Sequence, residues 1–129
     1  MNGNFLLDTN IVIAIMNRQI AIESHVARGQ RWYVSSIVLG ELYYGALHST
    51  RIVENLAGVE AWSTAETVLV CDAGTAREYG QIRKQLRTKG RPTPENDIWI
   101  AATARQYDLT LITRDQHFQE VDGLSVEVW

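Results

Sequence analysis

The sequence is short of the residues that staple, anchor or stiffen a chain. Cys71 is its single cysteine, so an internal disulfide and a cysteine-based zinc site are both excluded. Cys71 is expected in the core, and a reducing cytoplasm is the expected compartment. Long apolar runs are missing as well: none approaches the ~20 residues that span a bilayer. The opening Met1-Asn2-Gly3-Asn4 carries no basic n-region, so no secretory leader is expected. Proline occurs only at Pro92 and Pro94, inside the break Gly90-Arg91-Pro92-Thr93-Pro94. Positive charge is also in deficit. A net charge of −3 speaks against a high-affinity, sequence-independent nucleic-acid binder, which would be basic. It leaves room for an enzyme that touches nucleic acid briefly.

What is present is the composition of an ordinary globule. With 46% apolar and 21% charged residues in 129 positions, the chain can bury a core without staples, and residues 1–129 are expected to form one domain. Phe5-Leu6-Leu7, Trp32-Tyr33-Val34, Thr67-Val68-Leu69-Val70, Thr110-Leu111-Ile112-Thr113 and Val126-Glu127-Val128 read as short strands. Helices are expected over 11–17, 20–29 (ended by Gly29), 37–48 and 52–63. Two more are expected, from Asp72 or Thr75 to Lys89 and from Thr93 or Asn96 to Arg105 or Tyr107. This alternation predicts an α/β domain with a mostly parallel sheet and helices on both faces. The continuous apolar character of the strands fits a sheet covered on both sides.

Four carboxylates stand where folding alone gives no reason for them. Asp8 ends Phe5-Leu6-Leu7, Glu41 interrupts Val38-Leu39-Gly40-Glu41-Leu42-Tyr43-Tyr44, Asp97 precedes Ile98-Trp99-Ile100, and Asp115 follows Leu111-Ile112-Thr113. A buried, ionised carboxylate costs several kcal/mol unless it is paired, hydrogen-bonded or metal-bound. In open parallel sheets, sites form outside the carboxyl ends of the strands near the switch point. Asp8 and Asp115 follow the first and fourth strands. Asp97 falls in the first turn of a helix that faces the same edge. Glu41 lies about two turns into the helix after the second strand and can lean back toward it. Four like charges brought together repel one another, and a hard divalent cation such as Mg²⁺ or Mn²⁺ would offset that. A metal-bound water that attacks phosphorus would make this a phosphodiester hydrolase.

These residues resemble a known family. Phe5-Leu6-Leu7-Asp8-Thr9-Asn10, Ser35-Ser36-Ile37-Val38-Leu39-Gly40-Glu41-Leu42, Asn96-Asp97-Ile98-Trp99-Ile100-Ala101-Ala102 and Thr110-Leu111-Ile112-Thr113-Arg114-Asp115 resemble PIN-domain ribonucleases. The nearest subgroup is the VapC toxins of type II toxin–antitoxin pairs, and the tail His117-Phe118, Gly123-Leu124, Val128-Trp129 is similar too. The resemblance implies a three-layer α/β/α sandwich, RNA cleavage with Mg²⁺ or Mn²⁺, a homodimer, and an antitoxin that inserts an arm into the active-site groove. Residue by residue, it implies that Asp8, Glu41, Asp97 and Asp115 are catalytic, with Asp8, Asp97 and Asp115 holding metal. Thr9, Asn10 and Thr113 match the family's supporting polar residues.

Arg83, Lys84, Arg87, Lys89 and Arg91 fall in one nine-residue window, and Arg114 adjoins Asp115. They are candidate guides for an RNA backbone, the plainer reading of the window being a solvated helix end. Glu95 reads as first-turn surface. His25, His48 and His117 lack metal-ligand spacing and read as structural. Trp62, Trp99 and Trp129 read as core or subunit contacts. The apolar faces of 11–22 and 38–56 are rich for a small core, which suggests a dimer seam or an antitoxin groove. Two other functions stay open. A catalytically silent PIN-fold interaction protein would have no reason to bear four costly carboxylates. An aspartyl-phosphate domain of receiver or phosphatase type needs a second acid beside its nucleophile or a lysine after a late strand, and Asp8-Thr9-Asn10 and Thr113-Arg114-Asp115 supply neither.

Overall fold

The computed structural model describes residues 3–129. Met1 and Asn2, which open the stretch read as lacking a leader, lie outside the described residues. Strand β1 (Phe5–Leu7) runs into helix α1 (Thr9–Met16), and a short 3₁₀ turn (Ile22–Ser24) follows. Next come β2 (Trp32–Ser35), α2 (Ser36–Leu47), α3 (Ile52–Ala65), β3 (Thr67–Leu69), α4 (Ala73–Thr88) and α5 (Glu95–Gln106). The chain ends with β4 (Thr110–Ile112), a 3₁₀ segment (Gln116–Glu120) and β5 (Val126–Glu127).

Local chemistry sets most of these boundaries. Asp8 accepts the Thr9 N–H at the head of α1, and Ser35 Oγ accepts the Val38 N–H at the head of α2. At α4 the Asp72 carboxylate accepts the Thr75 N–H while the Thr75 hydroxyl accepts the Asp72 N–H, a reciprocal capping box. Helix α4 ends where Gly90 takes φ +69°, with Gly90 N–H donating to Arg87 and Arg91 N–H to Leu86. That pair of bonds satisfies the last carbonyls and turns the chain into the proline-bearing link to α5.

The strands form one parallel sheet in the order β3-β2-β1-β4-β5. Neighbouring strand residues point to opposite faces. Leu6 and Leu7 are both fully buried, so both faces of the sheet are covered. The result is the expected α/β/α sandwich with a parallel sheet. The order reverses between β1 and β4, which opens a crevice at their carboxyl ends.

Two expectations are corrected. Residues 20–29 form only the single turn Ile22–Ser24, because polar side chains bond the local backbone instead: Ser24 Oγ donates to Ala21, and the Ala27 N–H donates to Gln30 Oε1. Cys71 is exposed rather than in the core, since it follows the edge strand β3. The segment Gln116–Glu120 is a 3₁₀ turn anchored by fully buried Phe118. Phe118→Ala should therefore cost about 3–5 kcal/mol. Urea denaturation measures this, and a loss below about 1 kcal/mol would show that the ring does not anchor the segment.

Candidate active site

The four acids lie within electrostatic reach of one another around the carboxyl end of β1. Asp8 sits at the end of β1, 3% exposed, with its N–H donating to Ile112 of β4 at 2.9 Å. One carboxylate oxygen accepts the Thr9 N–H at 2.8 Å, and the other accepts the Thr113 hydroxyl at 2.7 Å. Thr113 is fully buried, and its oxygen also accepts the Asp115 N–H at 3.0 Å. Thr113 therefore ties the first acid to the last. Thr9 donates its hydroxyl to Glu41 Oε1 at 2.5 Å, which joins α1 to α2. Asn10 Oδ1 accepts the Arg114 N–H at 3.3 Å and braces the turn after β4. Asp97, in the first turn of α5, meets His117 Nε2 at 2.8 Å.

The electrostatics follow from this crowding. Burial pushes the Asp8 carboxyl up to about 6, and repulsion from Asp97 and Asp115 adds to the rise. The hydrogen bonds from Thr113 and Thr9 pull the other way without cancelling it. Asp97 is also raised, chiefly by burial, with Glu41 and Asp115 repelling it and His117 opposing the shift. These mutual repulsions place all four carboxylates within one electrostatic neighbourhood.

His117 is the residue that reading the sequence missed. It was assigned a structural role, yet it faces Asp97 directly. Its sequence signals are its position two residues after Asp115 and the family-like tail His117-Phe118. The other histidines are packing partners: His25 stacks on Trp129 at 4.4 Å and His48 on Tyr44 at 5.1 Å. Trp99 stacks on Tyr79, Trp129 meets Phe5 edge-on, and Trp62 packs against the core.

The basic window divides. Arg83, Arg87 and Arg91 line a cleft of about 470 Å³ between the end of α4 and the start of α5, together with Thr93 and Glu95. Lys84 is not part of that lining. Arg83 pairs with Glu95 at 2.8 Å, Lys89 with Asp122 at 2.8 Å and Arg91 with Glu120 at 3.8 Å. Glu95 is exposed, as expected, and also accepts from Tyr79. Such solvent-exposed pairs are each worth about 0–1 kcal/mol, so an anionic ligand can displace them.

The donor chemistry fits a hard divalent ion. All four acids supply oxygen, Asp8 carries an unrelieved burial penalty, and a cation would offset the repulsion among them. Among the described residues, however, no three acidic, histidine or cysteine side chains are gathered closely enough to enclose a metal ion. That open spacing leaves room for waters in the ion's shell, which Mg²⁺ retains, rather than for an all-protein cage.

Comparison with known proteins places the site in context. The PIN domain family model matches residues 5–124. The tRNA(fMet)-specific endonuclease VapC of Shigella flexneri is 38% identical over 128 residues, 97% of each chain. Ribonuclease VapC2 of Haemophilus influenzae is 37% identical, again over 97% of each chain. Among solved structures, DNA-bound VapBC from Salmonella typhimurium superposes with a TM-score of 0.89 at 34% identity, covering 98% of both chains. VapBC2 from Rickettsia felis, bound to a DNA fragment from its promoter, reaches a TM-score of 0.89 at 28% identity over 97% of this chain and 98% of that one.

The raised Asp8 carboxyl sets a pH dependence. The folded chain holds that proton more tightly than the unfolded chain, so stability from this group is full below about pH 4 and is lost as pH climbs toward 6. Asp8→Asn should stabilise the metal-free protein by roughly 1–3 kcal/mol at pH 7.5 and by little at pH 4. Paired thermal melts in EDTA check this. A variant less stable than the parent at pH 7.5 would mean the carboxylate is a structural asset.

Proposed function

The chain belongs to the PIN-domain family, in its VapC group, and from that premise we propose that it is a divalent-metal-dependent endoribonuclease held in check by a cognate antitoxin. The observation that carries this reading is the buried Asp8 carboxylate, fixed by Thr113 and facing Asp97 and Asp115 at the switch point of the sheet. A carboxylate kept in so costly a place is better explained by a bound cation than by folding. We assign metal binding to Asp8, Asp97 and Asp115, with Glu41 as the fourth catalytic acid, and favour Mg²⁺ or Mn²⁺. When bound, the ion would supply an acidic water and stabilise negative charge on the phosphodiester.

The chain's own residues do the rest. Thr113 and the Thr9 N–H orient both oxygens of Asp8, leaving its remaining lone pairs for the metal. Thr9 steers Glu41, and His117 holds one oxygen of Asp97. Asn10 fixes the turn that carries Asp115. Arg83, Arg87 and Arg91, with Lys84 and Lys89 in the same window and Arg114 beside Asp115, are read as contacts for the RNA backbone. Residues 1–129 act as one domain in this reading.

The partners follow from relatives and surface. The VapBC structures are toxin–antitoxin assemblies, and this chain leaves Ile13, Leu47, Ile52 and Val53 exposed on α1–α3. We read that apolar face as the seat of an antitoxin or of a second copy in a homodimer. No helix among the described residues is long and apolar enough to cross a membrane, and we place the protein in the cytoplasm.

Incubation of the pure chain with structured RNA tests the proposal. Cutting should require Mn²⁺ or Mg²⁺, stop in EDTA and fall by more than about 100-fold in Asp8→Asn, which loses a ligand outright. Thr113→Val, which removes only the hydroxyl that orients Asp8, should lose about 10–100-fold. Gel assays on folded variants read both, and cutting that survives EDTA and Asp8→Asn would refute the proposal.

A further inference from the structure

The acids lie between two clefts of different chemistry. On one side, His117, bound to Asp97, lines a cleft with Arg91 and Thr93 that continues into the arginine cleft beside α4. On the other side is a cleft of about 510 Å³ lined by Ser36, Ile37, Gly40, Glu41, Tyr44 and Asn96. Glu41 is itself one of the four acids, and Asn96 immediately precedes Asp97. A strand that passes the acids from the basic side can continue into this second cleft.

Its lining is suited to a flat, polar-edged group. Tyr44 is 66% exposed, an unusual state for an aromatic ring beside a catalytic acid. One face of that ring stacks on His48 at 5.1 Å and 23°, which fixes its orientation and leaves the other face open. Gly40 stands one turn before Tyr44 on α2, and a side chain built there would meet nothing within 4 Å. The space above the helix is therefore clear. Asn96 supplies an amide that both donates and accepts, and Ser36 supplies a hydroxyl. A purely apolar protein segment would leave those groups and Glu41 unpaired at a contact. An unpaired nucleobase uses all of them, with its face on the tyrosine and its edge on the amide.

We propose that this cleft receives an unpaired base of the RNA next to the scissile phosphodiester, stacked on Tyr44 and read by Asn96. The inference rests on the ribonuclease reading above and adds a specificity determinant to it. Tyr44 and Asn96 bind and position the substrate, while the acids carry the chemistry.

Binding and turnover together test it. The probe is a short fluorescent single-stranded RNA that spans the mapped cut site, titrated in EDTA against protein carrying Asp8→Asn. Adding Tyr44→Ala should weaken binding roughly 5- to 100-fold, and Tyr44→Phe should restore it, because stacking needs the ring alone. In the active protein, Tyr44→Ala should raise KM more than it lowers kcat. Gly40→Leu should weaken binding by blocking the cleft while the melting temperature stays at or above the parent's, since glycine inside a helix is unfavourable. Asn96→Asp should change the base preferred beside the cut. RNAs made abasic at one position at a time should include one that binds like the Tyr44→Ala pair and shows no further loss with that variant. Parent and Tyr44→Ala proteins that bind and cut alike would overturn the inference and leave the ribonuclease reading intact. Loss of antitoxin affinity with RNA binding unchanged would also overturn it, as it would assign the cleft to a protein partner. A parent that cuts no RNA would remove both.

Discussion

Keeping a carboxylate inside the end of β1 is the constraint around which the rest of the architecture is arranged. Asp8 has almost no solvent, and water is replaced by the Thr9 amide and the Thr113 hydroxyl. Those two donors do not cancel the burial penalty. The parallel pairing of β1 with β4 brings Thr113 to Asp8, and the switch in strand order leaves the crevice open above them. Thr113 then holds Asp115 through its backbone, so a single hydroxyl coordinates two of the acids. Thr9, on the far side of Asp8, extends the same network to Glu41. Removing one member would disturb its neighbours, as happens in satisfied polar networks at low dielectric.

The surface electrostatics divide along the same line. Acids gather at the carboxyl ends of the inner strands, while arginines gather where α4 turns into the link before α5. Most of that positive charge is lightly engaged by Glu95, Glu120 and Asp122. A chain of net charge −3 can therefore present a local positive cleft, because whole-chain charge averages over surfaces that a polyanion never meets together.

Much of this was legible in the sequence because burial is expensive for charge and cheap for leucine. Asp8 after Phe5-Leu6-Leu7 announced both a strand and an acid that needed a partner. Thr110-Leu111-Ile112-Thr113 announced the neighbouring strand, and Asp72, one of the two residues offered as the start of α4, is its cap. The failures share a cause. Residues 20–29 look helical by apolar spacing, but Ser24 and Gln30 decide the outcome through local hydrogen bonds. His117 meets Asp97 across 20 positions, and nothing local specifies that contact. It depends on Phe118 reaching the core and turning the segment inward. Cys71 was judged by residue type, whereas its exposure follows from the position of β3 at the sheet edge.

The bond between Asp8 and Thr113 spans 105 positions. A chain leaves the ribosome from its amino end, so Asp8 emerges before Thr113 and waits for its partner while the intervening helices and strands are made. β4 is the inner neighbour of β1, and it is synthesised only after α5. No amino-terminal fragment that ends before Thr113 can contain a closed crevice. Timing is thus written into the strand order: the centre closes only after the strand leading to Thr113 has been made.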